Sequence, residues 1–168
     1  MSGRDTAPLP PAPPGPPPLP SAGFHRTADG IPAVPGAYVL LIRMGQPLSV
    51  ALPGRPPVTL AAGRYLYCGS ARGPGGLRAR LARHLSPDKT LRWHVDRLTC
   101  GGNAVGAWIF PAGSVSGGPD WTECALAAAL EGLPVPAPGF GSSDCPTCRS
   151  HLLAWPGGAG LPFVPVPD

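Results

Sequence analysis

Two stretches decide how this chain folds: Gly36-Ala37-Tyr38-Val39-Leu40-Leu41-Ile42 and Arg64-Tyr65-Leu66-Tyr67-Cys68-Gly69-Ser70-Ala71. Both are dense in β-branched and aromatic residues, the composition of buried strands. In the second, Tyr65 and Tyr67 fall on one face and Leu66 on the other, because side chains alternate along a strand. After the glycine loop Gly73-Pro74-Gly75-Gly76, Leu77, Leu81 and Leu85 recur every four residues and form the apolar stripe of a helix that docks on a sheet. Arg80 and His84 share that spacing and line one border of the stripe, while Arg78 and Arg83 project elsewhere.

The intervening and following segments are shorter. Gly45-Gln46-Pro47 makes a turn, residues 48–52 alternate as a strand, and Val58-Thr59-Leu60 adds a short edge strand. Residues 91–98 read as helix or strand. In a strand, His94 and Asp96 would share a face, either contacting phosphate or metal or forming a buried His–Asp hydrogen bond. Residues 105–110 predict a strand and 121–131 a helix, whereas the chain from 134 onward is loop-like and its last dozen residues should fray. The fold class is α/β of the α+β kind, a small, mainly antiparallel central sheet flanked by helices. Residues 1–32 form a disordered Pro-rich tail, 33–156 the domain, and 157–168 a flexible C-terminal tail.

The chain has 168 residues, enough for one domain with a real core. Only 13% are charged, against 27 prolines and 24 glycines. One lysine against twelve arginines fits GC-rich coding, which discounts isolated Gly and Pro as structural signals. Charge is more informative where it concentrates. Residues 72–97 hold seven basic side chains and two acidic ones, leaving the remainder close to neutral. Such a patch attracts phosphate and nucleic acid, with a solvated helix face as the bland alternative. The first 21 residues contain nine prolines and no apolar run, so they resemble neither a signal peptide nor an anchor and should be extended. No segment approaches the ~18 apolar residues of a membrane span. A soluble, cytoplasmic protein is expected, with its five cysteines reduced.

The order of these motifs resembles the GIY-YIG endonuclease family, which includes the incision domain of the UvrC repair protein. Gly36-Ala37-Tyr38 stands for the first motif and Tyr67-Cys68-Gly69 for the second, each without the usual middle isoleucine. Arg80 falls at the catalytic arginine, His84 at a position often held by His or Tyr, and Glu123 at the metal-binding carboxylate. More closely, Gly-Pro-Gly-Gly-Leu-Arg-Ala-Arg, Trp-His-Val-Asp, Glu-Cys-Ala-Leu and Gly-Phe-Gly-Ser-Ser-Asp-Cys-x-x-Cys-x-Ser-His-Leu look like one divergent group of that family. That group is sometimes fused to endonuclease III-type repair enzymes. The likeness covers residues 35–155. It departs from the family in spacing, since Tyr38 and Tyr67 lie 29 positions apart, so an extra hairpin at 45–62 must intervene. It also lacks an Asn after the carboxylate. The only Asn is Asn103, which leaves Ser142, Ser143 or Asp144 as substitutes.

The resemblance implies a metal-dependent endonuclease or DNA-processing enzyme, with a place in DNA repair and a repair-protein partner. Glu123 would hold Mg²⁺ (or Mn²⁺), a hard cation suited to carboxylate oxygen. Arg80 would neutralise the non-bridging oxygens, and Tyr38 or Tyr67 would orient or deprotonate the water, with His84 as proton relay. A phenol titrates near pH 10, so a base role needs that value lowered by neighbours. Ser70, Arg72, Arg78, Arg83, Lys89, Arg92 and His94 would contact DNA or RNA. Taken singly, each residue has a plainer role. The tyrosines could be packed strand aromatics, Arg80 an exposed helical arginine, and Glu123 the N3 residue of a capping box begun by Asp120. The competing function is a nucleic-acid binder that does not cut.

A second cluster joins Cys145, Cys148 and His151, with Cys124 as a candidate fourth ligand. Three thiolates and an imidazole suit tetrahedral Zn²⁺, and buried reduced thiols are the alternative. A zinc-stabilised interaction module, with the Pro-rich tail recruiting partners, is a third reading. Cys68 and Cys100 read as structural.

Overall fold

The computed structural model describes residues 11, 22–113, 120–143 and 145–163. In chain order the elements are β1 (Phe24–His25), β2 (Gly36–Met44), β3 (Leu48–Val50), β4 (Val58–Leu60), β5 (Gly63–Ala71), α1 (Gly76–Leu85), α2 (Asp96–Thr99), β6 (Ala104–Pro111), α3 (Glu123–Ala129) and β7 (Leu152–Ala154). Five strands form one sheet in the order β1-β6-β2-β5-β7, every pair antiparallel. The expected α+β class is therefore observed. The extra hairpin is present as β3 and β4, which form a separate two-stranded sheet.

β2 runs between two partners and is buried along nearly its whole length, which explains its continuous apolar sequence. Tyr38, Leu40 and Ile42 point into one core with Leu77 and Leu81 of α1 and with Leu98. Ala37, Val39 and Leu41 point into the other with Leu66, Trp108 and Leu126 of α3. The sheet is thus sandwiched, with α1 and α3 on opposite faces. A register shift between Leu41 and Ile42 bends β2 along β6.

The ordered domain is longer at both ends than the expected boundaries. Phe24 and His25 pair with Trp108 and Ala107 at the sheet edge, and Ile31 is fully buried, so residues 22–32 belong to the fold. At the other end Phe163 packs on Trp108 and Phe110 and is buried, where fraying was expected. Most of the predicted N-terminal tail and residues 164–168 lie outside the described residues, as does Asp144. Residues 91–98 resolve as a turn into α2, so His94 and Asp96 share no strand face. The loop-like C-terminal region contains β7, which extends the sheet beside β5. Among the described residues, no helix is long and apolar enough to cross a membrane.

Candidate functional site

The β2–β5 register sets Tyr38 opposite Gly69 and Leu40 opposite Tyr67, which makes the two tyrosines diagonal neighbours on one face. Gly69 is there for a steric reason. A Cβ at this position would lie 2.4 Å from Cζ and Oη of Tyr38, so only glycine lets that ring lie across the strand. The Tyr38 hydroxyl is hydrogen-bonded to His84 Nε2 at 2.7 Å, a contact 46 positions apart in sequence. Both groups are buried. Burial, aided by the nearby Lys89 charge, pushes the His84 imidazole down to about 3, so the ring is neutral at physiological pH. Its Nδ1 is buried with no hydrogen-bond partner among the described residues.

Tyr38, Tyr67, Arg80, His84, Trp93 and Phe140 line one open cleft of about 320 Å³. Arg80 comes from α1, one turn before His84, and its guanidinium stacks over the Trp93 ring at 4.3 Å. It makes no hydrogen bond or ion pair among the described residues, so its donors are free for an anion. Tyr67 is met edge-on by Phe140, and its hydroxyl likewise has no hydrogen-bond partner among the described residues. The phenols do not behave as a base would require. Burial raises Tyr38 well above the ordinary phenol value and pushes Tyr67 up to about 12, and the opposing Arg80 charge does not offset it. At neutral pH both hydroxyls keep their protons and remain able to donate.

Glu123 is not in the wall of this cleft. It begins α3, in the opposite layer of the sandwich, yet its charge contributes to raising both phenols and the Cys68 thiol. The capping-box explanation fails, because the helix is capped by Thr122, whose hydroxyl accepts from the Ala125 amide at 3.1 Å. Asp120 instead accepts from the Gly113 amide at 2.9 Å. Glu123 Oε2 is buried and has no hydrogen-bond partner among the described residues. A buried, unsatisfied carboxylate oxygen is costly, and a hard cation would satisfy it.

Several expected phosphate contacts are already engaged within the protein. Arg83 is ion-paired to fully buried Asp96 at 2.5 Å and donates to the Thr90 carbonyl. Lys89 donates to the His84 carbonyl and to Thr99 Oγ1, each at 2.8 Å. Arg78 Nε donates to the Ile31 carbonyl at 2.6 Å, fastening the N-terminal segment to α1. Arg72 is exposed, Arg92 and His94 line the cleft, and Ser70 is half-buried on β5. Asp96 accepts from the Arg92 and Trp93 amides as well as from Arg83. Burial works against its charge, but these bonds outweigh it and hold the carboxyl below the usual range.

Trp93 and Phe140 join the cleft wall although neither belongs to a helix or strand whose periodicity would mark it. The Trp-His-Val-Asp motif was the available signal for Trp93. A second hollow of about 550 Å³ adjoins the cleft through His94 and Gly141, with Arg55, Arg149, Ser142 and Ser143 in its wall. The two serines therefore face this neighbour and do not replace the missing Asn beside the tyrosines.

The four ligand atoms of Cys124, Cys145, Cys148 and His151 all lie within 4.8 Å of one another. Cys124 Sγ is 3.4 Å from Cys145 Sγ and 3.6 Å from His151 Nε2. A tetrahedral site with metal–sulfur bonds of about 2.3 Å has ligand-to-ligand edges of about 3.8 Å, so this spacing is close to metal-ready. The Cys148 amide donates to Cys145 Sγ at 3.3 Å, the kind of support a ligating thiolate receives from its surroundings. This set could hold a metal such as zinc.

A family model described as a domain of unknown function, DUF123, matches residues 37–159. The chain belongs to the DUF123 family. No curated protein and no solved structure matches it. The DUF123 match spans the sheet from β2 to β7, both helix layers, the cleft and the Cys/His cluster.

Proposed function

We propose that this DUF123 protein is a metal-dependent phosphodiester hydrolase acting on DNA or RNA, with a GIY-YIG-like site. The observation that carries the proposal is the meeting of Tyr38, Tyr67, Arg80 and His84 in one cleft in which the guanidinium has no partner among the described residues. Phosphate needs such a donor, because charge grows on its non-bridging oxygens in the transition state. Stacking on Trp93 fixes the plane of Arg80 without occupying its N–H groups. Tyr67 offers a protonated hydroxyl to a phosphate or water oxygen. Tyr38, held by His84, has its proton and lone pairs set by that one bond, so it orients what binds beside it. His84, a neutral imidazole bonded to Tyr38, offers a nitrogen able to pass a proton on.

Glu123 Oε2 supplies an unsatisfied hard donor for Mg²⁺ or Mn²⁺. When bound, that ion would neutralise phosphoryl charge and lower the pKa of a coordinated water. The soft donors of the Cys/His cluster suit zinc instead. Arg72, Arg92 and His94 are the outward-facing groups left to steer the nucleic-acid chain.

A second reading, binding without cleavage, is favoured by the raised phenols and by the position of Glu123 outside the cleft wall. Incubation with branched, damaged and single-stranded DNA, and with RNA, separates the two. Strand scission that needs Mg²⁺ and drops about 10²–10³-fold in Arg80→Ala is expected, with loss in Glu123→Ala as well. Retarded mobility with every substrate intact would establish the binding reading.

A further inference from the structure

The cluster of Cys124, Cys145, Cys148 and His151 gathers three separate parts of the chain: the first turn of α3, the 145–148 turn and the approach to β7. None of these parts is self-supporting. α3 has seven residues, far below the length at which a helix is stable alone. Between α3 and β7 the described chain has no helix or strand, although loops of that length in a compact domain are uncommon. Core packing of Leu126 and Phe140 and the pairing of β7 with β5 hold them in part, and the four converging ligands add a cross-link among all three.

Contacts lead from this cluster directly to the cleft. Cys124 follows Glu123 in sequence on the same helical turn. The His151 amide donates to the Phe140 carbonyl at 2.8 Å, and the His151 carbonyl accepts from the Cys68 amide at 2.9 Å, next to Tyr67. A Cβ on Gly141 would lie 3.0 Å from the Tyr67 ring and 3.3 Å from His151 Cβ, so the turn at 140–141 is wedged between a ligand and the tyrosine. Gly141 also has φ of +69°, a conformation that side chains disfavour. We infer that Cys124, Cys145, Cys148 and His151 bind one zinc ion that holds Glu123 and the 140–141 turn in place against Tyr67. These four are positioning residues. The metal and its packing role stand apart from strand scission, while the importance of Glu123 and Tyr67 rests on the function proposed above.

The test uses the full chain, expressed with zinc and purified without chelator. Elemental analysis should give one zinc per chain, and replacement by Co²⁺ should produce the visible absorption of a tetrahedral thiolate site. Cys148→Ser should lose the metal and Cys100→Ser should keep it, since Cys100 lies outside the cluster. Should Cys148→Ser not fold, the unsubstituted protein is stripped with chelator and reloaded. Amide hydrogen exchange at Cys68 and His151 should speed up by about tenfold or more on stripping and recover with zinc. Metal-free protein whose thiols react freely, or a Cys124–Cys145 disulfide by mass spectrometry, would remove the metal centre. A zinc-loaded protein whose exchange at these amides ignores stripping would remove the positioning role. Neither readout requires a nuclease, so failure here and failure of the cleavage assay are separable.

Discussion

Two of the three arginines of helix α1, Arg80 and Arg83, lie three positions apart and meet opposite fates. Arg83 is joined to a fully buried carboxylate that also accepts two backbone amides. Arg80 stacks on the face of an indole and, among the described residues, donates no hydrogen bond. A charge count treats them alike. The difference comes from the turn at 92–96, which presents Asp96 to one arginine and Trp93 to both. Basic segments therefore divide into cations that hold the fold together and cations left for a ligand, and only the second kind bears on function.

This division can be broken at its strongest point first. Asp96→Ala leaves Arg83 and two amides without their shared acceptor, and should cost about 3–5 kcal/mol in urea unfolding. Arg80→Ala should change stability by no more than about 0.5 kcal/mol. A larger loss from Arg80→Ala than from Asp96→Ala would overturn the assignment of roles.

Acid tests the buried ring beside these arginines. His84 binds its proton near pH 3 when folded and near 6.5 when unfolded. Between those values the unfolded chain takes up more protons, so stability should fall as pH drops from 6.5 toward 3, on the order of a few kcal/mol in all. Asp96, whose carboxyl is held low, adds a further loss only below about pH 4. Denaturation midpoints measured from pH 7 to 4 would show the first effect alone, and His84→Asn should flatten it.

A smaller effect is expected at Gly69. Gly69→Ala forces the Tyr38 ring off the strand, for a loss of about 1–3 kcal/mol and a broken bond to His84, visible as a change in the Tyr38 ultraviolet titration. The smallest effect concerns nucleic-acid binding. Arg72→Ala should lower the slope of log affinity against log salt by about one unit. Arg78→Ala, where the side chain already serves the Ile31 carbonyl, should leave the slope unchanged.

What the sequence revealed follows the same line. β2, β5, β6 and α1 were legible because each runs long enough for its period to show. β1 and β7 were not, being two and three residues long and held only by their neighbours. Tyr38, Tyr67, Arg80 and His84 could be assembled from motif order, since strand pairing and helix docking bring them to one face. The roles of Asp96 and Trp93 could not, because a turn aims them and no periodicity marks a turn. For Glu123, the deciding fact was which residue caps α3, and Thr122 against Asp120 is a choice that sequence leaves even.

Trp108 has a further consequence. Phe24 near the start of the described chain and Phe163 near its end both pack on that one indole, with centroids 4.6 and 5.1 Å away. The two ends of the domain are thus neighbours in space. A short Gly/Ser bridge between them, with new termini opened in the β3–β4 turn, should yield a circularly permuted protein that still folds.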